Sequence, residues 1–129
     1  MGKFVSVEKS DHVATVALTQ PTMPPAFFDE LGETFRNLAL DTELRAVVLR
    51  SDSKGFSYGL DLNQAVQEHG ALLIGAGLAG PRTELLAMIK RWQGCISAVA
   101  DLPVPVIAAI HGWCIGGGLD LISACDLRL

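Results

Sequence analysis

The sequence contains only three cysteines, Cys95, Cys114 and Cys125, widely spaced and with no CxxC pair. An odd, scattered set excludes a disulfide framework and gives no cysteine-based metal site, so reduced thiols in a cytosol-like compartment are expected. Basic residues are also scarce: 10 Lys and Arg stand against 14 Asp and Glu, a net charge of −4. Phosphate backbones need a basic face, so nucleic acid is not expected as a partner. No apolar run approaches the roughly 18 residues of a membrane span. The opening MGKFVSVEKSD has no apolar core of a secretory signal, and the chain reads as unexported and cytoplasmic. P-loop and HExxH patterns are missing as well, as are repeats and low-complexity tracts. What is present is core-forming material, with 50% hydrophobic residues in a length of 129. That suits one packed α/β domain and excludes intrinsic disorder.

Two alternating segments, Phe4–Glu8 and His12–Leu18, flank a short polar turn and predict a β-hairpin. Pro21, Pro24 and Pro25 then interrupt the chain, and helical spacing of Phe27, Leu31, Phe35 and Leu38 predicts a helix over 26–40. RAVVLR, residues 45–50, reads as a buried strand, and 60–68 as a short helix with Asp61 in its first turn. Residues 69–81 read as a linker and 83–99 as a long helix that Pro103 and Pro105 end. A strand is expected over 104–110, a glycine turn over 112–118, a short helix over 119–124 and a strand opening at Asp126. A hairpin followed by helices alternating with strands implies parallel crossovers.

Gly75-Ala76-Gly77-Leu78-Ala79-Gly80 is a literal GxGxxG. A dinucleotide fingerprint also needs a βαβ unit whose second strand ends in an acid some 20 residues on. The helical pattern here runs on to about Val99, and Asp101 follows a helix rather than a strand. The nicotinamide reading is therefore rejected.

Two other glycine segments carry more chemistry. Phe56-Ser57-Tyr58-Gly59-Leu60-Asp61-Leu62 follows the first buried strand, and Gly112-Trp113-Cys114-Ile115-Gly116-Gly117-Gly118-Leu119-Asp120 follows the second. Each passes from a strand end through glycine into a helix start, the edge at which α/β proteins collect ligands. One N–H from each turn would form a two-donor oxyanion hole if the turns converge. Tight packing alone also accounts for such glycines, and spacing does not choose between the two. His111 reads as structural, Asp126 as a strand-orienting group, and Cys114 and Cys125 as small hydrophobes. Trp113 and Tyr58 suit either a channel wall or the core.

The order PAFFDEL, AVVLRS, GFSYGLDL and LPVPVIAAIHGWCIGGGLDLISACDLRL resembles the enoyl-CoA hydratase/isomerase (crotonase) superfamily across most of the chain. The resemblance implies the ClpP/crotonase spiral of ββα units, with acyl-CoA thioesters as ligands. It implies no separate cofactor and no metal, coenzyme A being part of the substrate. By motif position the oxyanion donors would be the N–H groups of Leu60 and Gly117. Ser57, Tyr58, Gly59, Asp61, Trp113 and Gly116 would border the CoA and acyl path. Asp120 falls where hydratases of the family place a glutamate, and an aspartate in CIGGGLDLISACD is similar to the dienoyl-CoA isomerase branch. On chemistry alone, Asp120 also suits an ordinary acid at a helix N-terminus. Enclosed in an apolar pocket it would instead suit acid–base work near neutral pH.

Two departures from the family pattern stand out. The segment Pro21-Thr22-Met23-Pro24-Pro25-Ala26 is short and lacks the usual Asn-Ala pair. Family members also run to about twice this length, with a second catalytic carboxylate beyond the point matching Leu129. Residues 1–129 are thus expected to be the N-terminal part of an incomplete crotonase-like domain. Two functions follow: hydration or double-bond isomerisation of an enoyl- or dienoyl-CoA, or a catalytically inactive module for binding or assembly. Trimers or hexamers are expected from the family.

Overall fold

The computed structural model describes residues 2–75 and 77–129. β1 (Val5–Ser10) and β2 (Val13–Leu18) pair antiparallel through a turn that places Asp11 at a φ of +53°. β4 (Ala46–Ser51), β6 (Val106–Ala108) and β7 (Leu127–Arg128) then add in parallel, giving the order β1-β2-β4-β6-β7. Parallel neighbours need crossovers, and helices supply them. α1 (Pro25–Leu38) joins β2 to β4, α2 (Leu62–Leu73) and α3 (Ala79–Ala100) join β4 to β6, and α4 (Gly117–Ser123) joins β6 to β7.

The core lies between sheet and helices. α1 turns Phe27, Leu31 and Phe35 inward, and α3 brings Met88, Trp92, Cys95 and Val99 against them. The sheet answers with Val16, Leu18, Val47, Leu49 and Val106, all buried. In β4 burial alternates, Val47 and Leu49 facing the core while Val48 and Arg50 are half-buried. Asp126 accepts a hydrogen bond from the Val106 N–H at 2.8 Å, so it does orient a strand.

Three sequence expectations need correction. Residues 59–60 are not a helix start: Gly59–Leu60 forms β5, paired in parallel with β3 (Thr22–Met23) inside the proline-rich segment. Asp61 is therefore not in the first turn of α2 but is its N-cap, accepting from the Gln64 N–H at 3.0 Å. Nor is 69–81 a linker throughout. α2 continues to Leu73 across a kink at His69 (φ −131°, ψ 20°), because Leu73 packs against the core. α3 begins at Ala79, with Pro81 in its first turn, where a missing N–H costs nothing. In the GxGxxG stretch Gly80 lies within α3, Ala76 lies outside the described residues, and the preceding Leu72 and Leu73 end a helix. The strand that a dinucleotide fingerprint requires is not there. No helix is long and apolar enough to cross a membrane among the described residues.

Candidate active site

The two glycine segments zip together. The Phe56 N–H donates to the His111 carbonyl (2.8 Å), Ser57 N–H to the Trp113 carbonyl (3.1 Å), and Ile115 N–H to the Ser57 carbonyl (3.1 Å). Loops leaving neighbouring parallel strands emerge side by side, so β4 and β6 place these segments in register. The first segment is gripped from its other side by β3 and the proline before it, through Tyr58 N–H to the Pro21 carbonyl (2.6 Å) and Asp61 N–H to the Met23 carbonyl (2.9 Å). Ser57 is fully buried in this seam, where its hydroxyl accepts from the Gly59 N–H at 3.2 Å. His111 donates from Nε2 to the Ser53 carbonyl at 2.7 Å, the structural role expected of it.

Glycine is needed where the turns touch. Gly59 has a φ of +83°, and a Cβ there would lie 3.0 Å from the Ile115 carbonyl oxygen and 3.1 Å from the Gly117 nitrogen. A Cβ on Gly117 would in turn lie 3.9 Å from the Leu60 nitrogen. The Asp61-to-Met23 bond belongs to the ladder that flanks Leu60, and a parallel ladder turns the N–H of the residue between its bonds to the opposite side. The Leu60 N–H therefore faces away from β3. Gly117 is the first residue of α4, and its N–H has no backbone acceptor among the described residues, whereas Gly118 and Leu119 donate to Ile115 and Gly116.

Both residues line one cleft of about 230 Å³. Phe28 of α1 and Ile89, Trp92, Gln93 and Ile96 of α3 form its wall, and Asp120 of α4 stands at its edge. A second cavity of about 400 Å³, lined by Gln93, Ile96, Ser97 and Asp120, continues from it. Trp92 stacks on Phe28 at 4.8 Å between ring centroids, which makes this wall firm. A groove of about 290 Å³ beside Val7, Leu38 and Asp41 contains none of the candidate site residues.

The structure thus gathers Leu60, Gly117 and Asp120 around one space, with Gly59 and Gly116 forming the close approach behind it. Four other candidates lie elsewhere. Ser57 is buried in the seam, Asp61 caps α2, Tyr58 covers Gly55, and Trp113 is 69% exposed outside the cleft. Asp120 is exposed, so enclosure in an apolar pocket does not act on it here. The wall residues Phe28, Ile89, Gln93 and Ile96 are additions by the structure. The available signal was the apolar stripe of α3, which Gln93 interrupts beside Trp92 and Ile96. Cys114 and Cys125 are poor nucleophiles: burial raises both thiols, Cys125 to about 11 with further help from Asp126. No cluster of three or more His, Cys, Asp or Glu suited to a metal occurs among the described residues.

The enoyl-CoA hydratase/isomerase family model matches residues 8–129. The chain is 35% identical, over 98% of its length, to a mitochondrial Delta(3,5)-Delta(2,4)-dienoyl-CoA isomerase of Dictyostelium discoideum, of which it covers 45%. It is 42% identical over 91% of its length to the Rattus norvegicus enzyme of the same name, of which it covers 37%. A Mycobacterium smegmatis enoyl-CoA hydratase structure superposes with a TM-score of 0.76 at 29% identity, over 98% of this chain and 47% of that one. The chain therefore spans less than half the length of these relatives. The cytosolic expectation draws no support from them, since both isomerases are named as mitochondrial. Sheet order, glycine seam and family match agree, and the chain belongs to the enoyl-CoA hydratase/isomerase family with a crotonase-like fold.

Proposed function

We propose that this chain binds acyl-CoA thioesters and stabilises the enolate, or related thioester oxyanion, between the N–H groups of Leu60 and Gly117. The observation that carries this reading is the pair of glycine turns closing on one cleft with Asp120 at its edge. Two amides aimed at a developing oxyanion lower the cost of removing a proton beside the thioester carbonyl, each donor being worth about 10²–10³ in rate. In isomerisation Asp120 would take the proton from the carbon beside the thioester, another being added further along the acyl chain; in hydration it would deliver a proton of the added water to that carbon. The aspartate and the isomerase relatives favour isomerisation. The reading needs no further cofactor and no metal.

Enolisation needs only one base and the two donors, so it is the step to measure on this chain. The α-hydrogens of butyryl-CoA should exchange with deuterated solvent in the presence of the protein, followed by NMR. Asp120→Asn should slow exchange by about 10²-fold or more while butyryl-CoA still binds. Exchange that is equally fast in the variant removes Asp120 from the mechanism.

A second reading, a binding or assembly module without turnover, is favoured by one observation. Among the described residues Asp120 is the only carboxylate lining either cavity, whereas a complete hydration or isomerisation draws on a paired acid and base. Binding without exchange would select it. In either case assembly into trimers or hexamers is proposed, supported by exposed Trp113, Leu119 and Leu127. A stable monomer in light scattering would refute that part.

A further inference from the structure

Asp120, the group assigned to proton transfer, accepts no side-chain hydrogen bond among the described residues. A carboxylate that takes a proton from one defined carbon must be held in one orientation, because a misplacement of about 1 Å can cost 10²-fold in rate. α4 supplies no such restraint: its neighbouring Ser123 hydroxyl is turned back to the Leu119 carbonyl at 2.7 Å. Across the cleft, α3 presents two polar side chains to the same space. Gln93 lines both cavities that Asp120 lines, and Ser97, one turn further on, lines the outer one. Gln93 is exposed, and no hydrogen bond engages its carboxamide within the described residues. It sits between Trp92 and Ile96 on a face that is otherwise apolar, where a solvated side chain brings no packing gain.

We propose that Gln93 is a positioning residue for Asp120, its carboxamide N–H donating to the carboxylate when an acyl group fills the cleft. The inference rests on the proton-transfer reading of Asp120 and adds the group that aims it. The chemistry is one-sided: an ionised carboxylate only accepts, and the amide is a donor that lines both of its cavities. With one carboxylate oxygen tied to Gln93, the other is left to face the α-carbon beside the Leu60 and Gly117 N–H groups.

The test compares Gln93→Leu and Gln93→Glu with the unaltered chain. Both variants lose the donor, and Glu keeps the length and polarity of the side chain. α-Proton exchange of butyryl-CoA should fall by about 10²-fold in both, with butyryl-CoA affinity changed less than about threefold and the melting curve unmoved. Exchange in the unaltered chain should remove one of the two prochiral hydrogens, and the variants should lose that preference. Wild-type exchange in Gln93→Glu overturns the inference, because a spacer of the same shape then suffices. A second readout does not depend on turnover. With butyryl-CoA present, the Gln93 side-chain amide resonances should follow the titration of Asp120, the one ionisable side chain lining the two cavities. They should cease to do so in Asp120→Asn, and amide resonances indifferent to Asp120 overturn the inference even in an inactive chain. Fast exchange in Asp120→Asn would instead defeat the underlying assignment of Asp120, leaving the amide titration to decide on Gln93.

Discussion

At the scale of single residues, two glycines in the same chain have opposite meanings. Gly59 stands at φ +83° with backbone atoms 3.0 and 3.1 Å from the position of an added Cβ, and neither atom is at the end of a flexible side chain. Gly59→Ala should cost about 1–3 kcal/mol through backbone strain alone. It should also part the two turns, so that butyryl-CoA affinity falls with stability in urea titration. Gly94 lies in the interior of α3 with nothing within 4 Å of its Cβ position. There Ala relieves a helix penalty, and Gly94→Ala should raise stability by about 0.5–1 kcal/mol. Equal effects of the two substitutions would contradict the contact geometry. Gly59 was legible as a functional glycine because its motif follows a strand. Its reason, the Ile115 carbonyl pressed against it from a segment more than fifty residues away, was not.

At the scale of elements, α2 shows how a residue read as part of a binding path works as a cap. Asp61 occupies the N-cap, its carboxylate meeting the Gln64 N–H at 3.0 Å while its own N–H pairs with Met23. Asp61→Ala should therefore destabilise the protein by about 0.5–2 kcal/mol, and Asp61→Ser by much less. Butyryl-CoA affinity at saturating protein stability should not change; a selective loss of binding would return Asp61 to the ligand path. The helices α1 and α3 were readable from apolar periodicity, because their inward faces repeat at 3.6 residues. β3 and β5 were not. Two-residue strands have no period, and they exist only because the proline segment and the glycine turn lie edge to edge.

At the scale of the whole molecule, Cys125 couples burial to pH. Its thiol is held to about 11, above the 9.0 of an unperturbed group, chiefly by burial and then by Asp126. The folded chain thus keeps a proton that the unfolded chain releases. The stabilisation is fully present below pH 9.0 and is lost as pH rises from there towards about 11. Denaturant titrations across that window should show a falling stability, and Cys125→Ala should flatten the part due to this group. An identical slope in the variant would remove Cys125 as its source.

By itself the sequence determined the α/β class, the hairpin, the long helices and the identity of the two glycine motifs. Those features are local: period, proline position and glycine spacing act within one segment of chain. Only the tertiary structure decided that Leu60 and Gly117 share a cleft, that Ser57, Tyr58, Asp61 and Trp113 lie outside it, and that Gln93 lines the same cavities as Asp120. These relations depend on which strands are neighbours in the sheet. Parallel pairing of β4 with β6 brings together segments separated by two helices, and no local pattern encodes that distance.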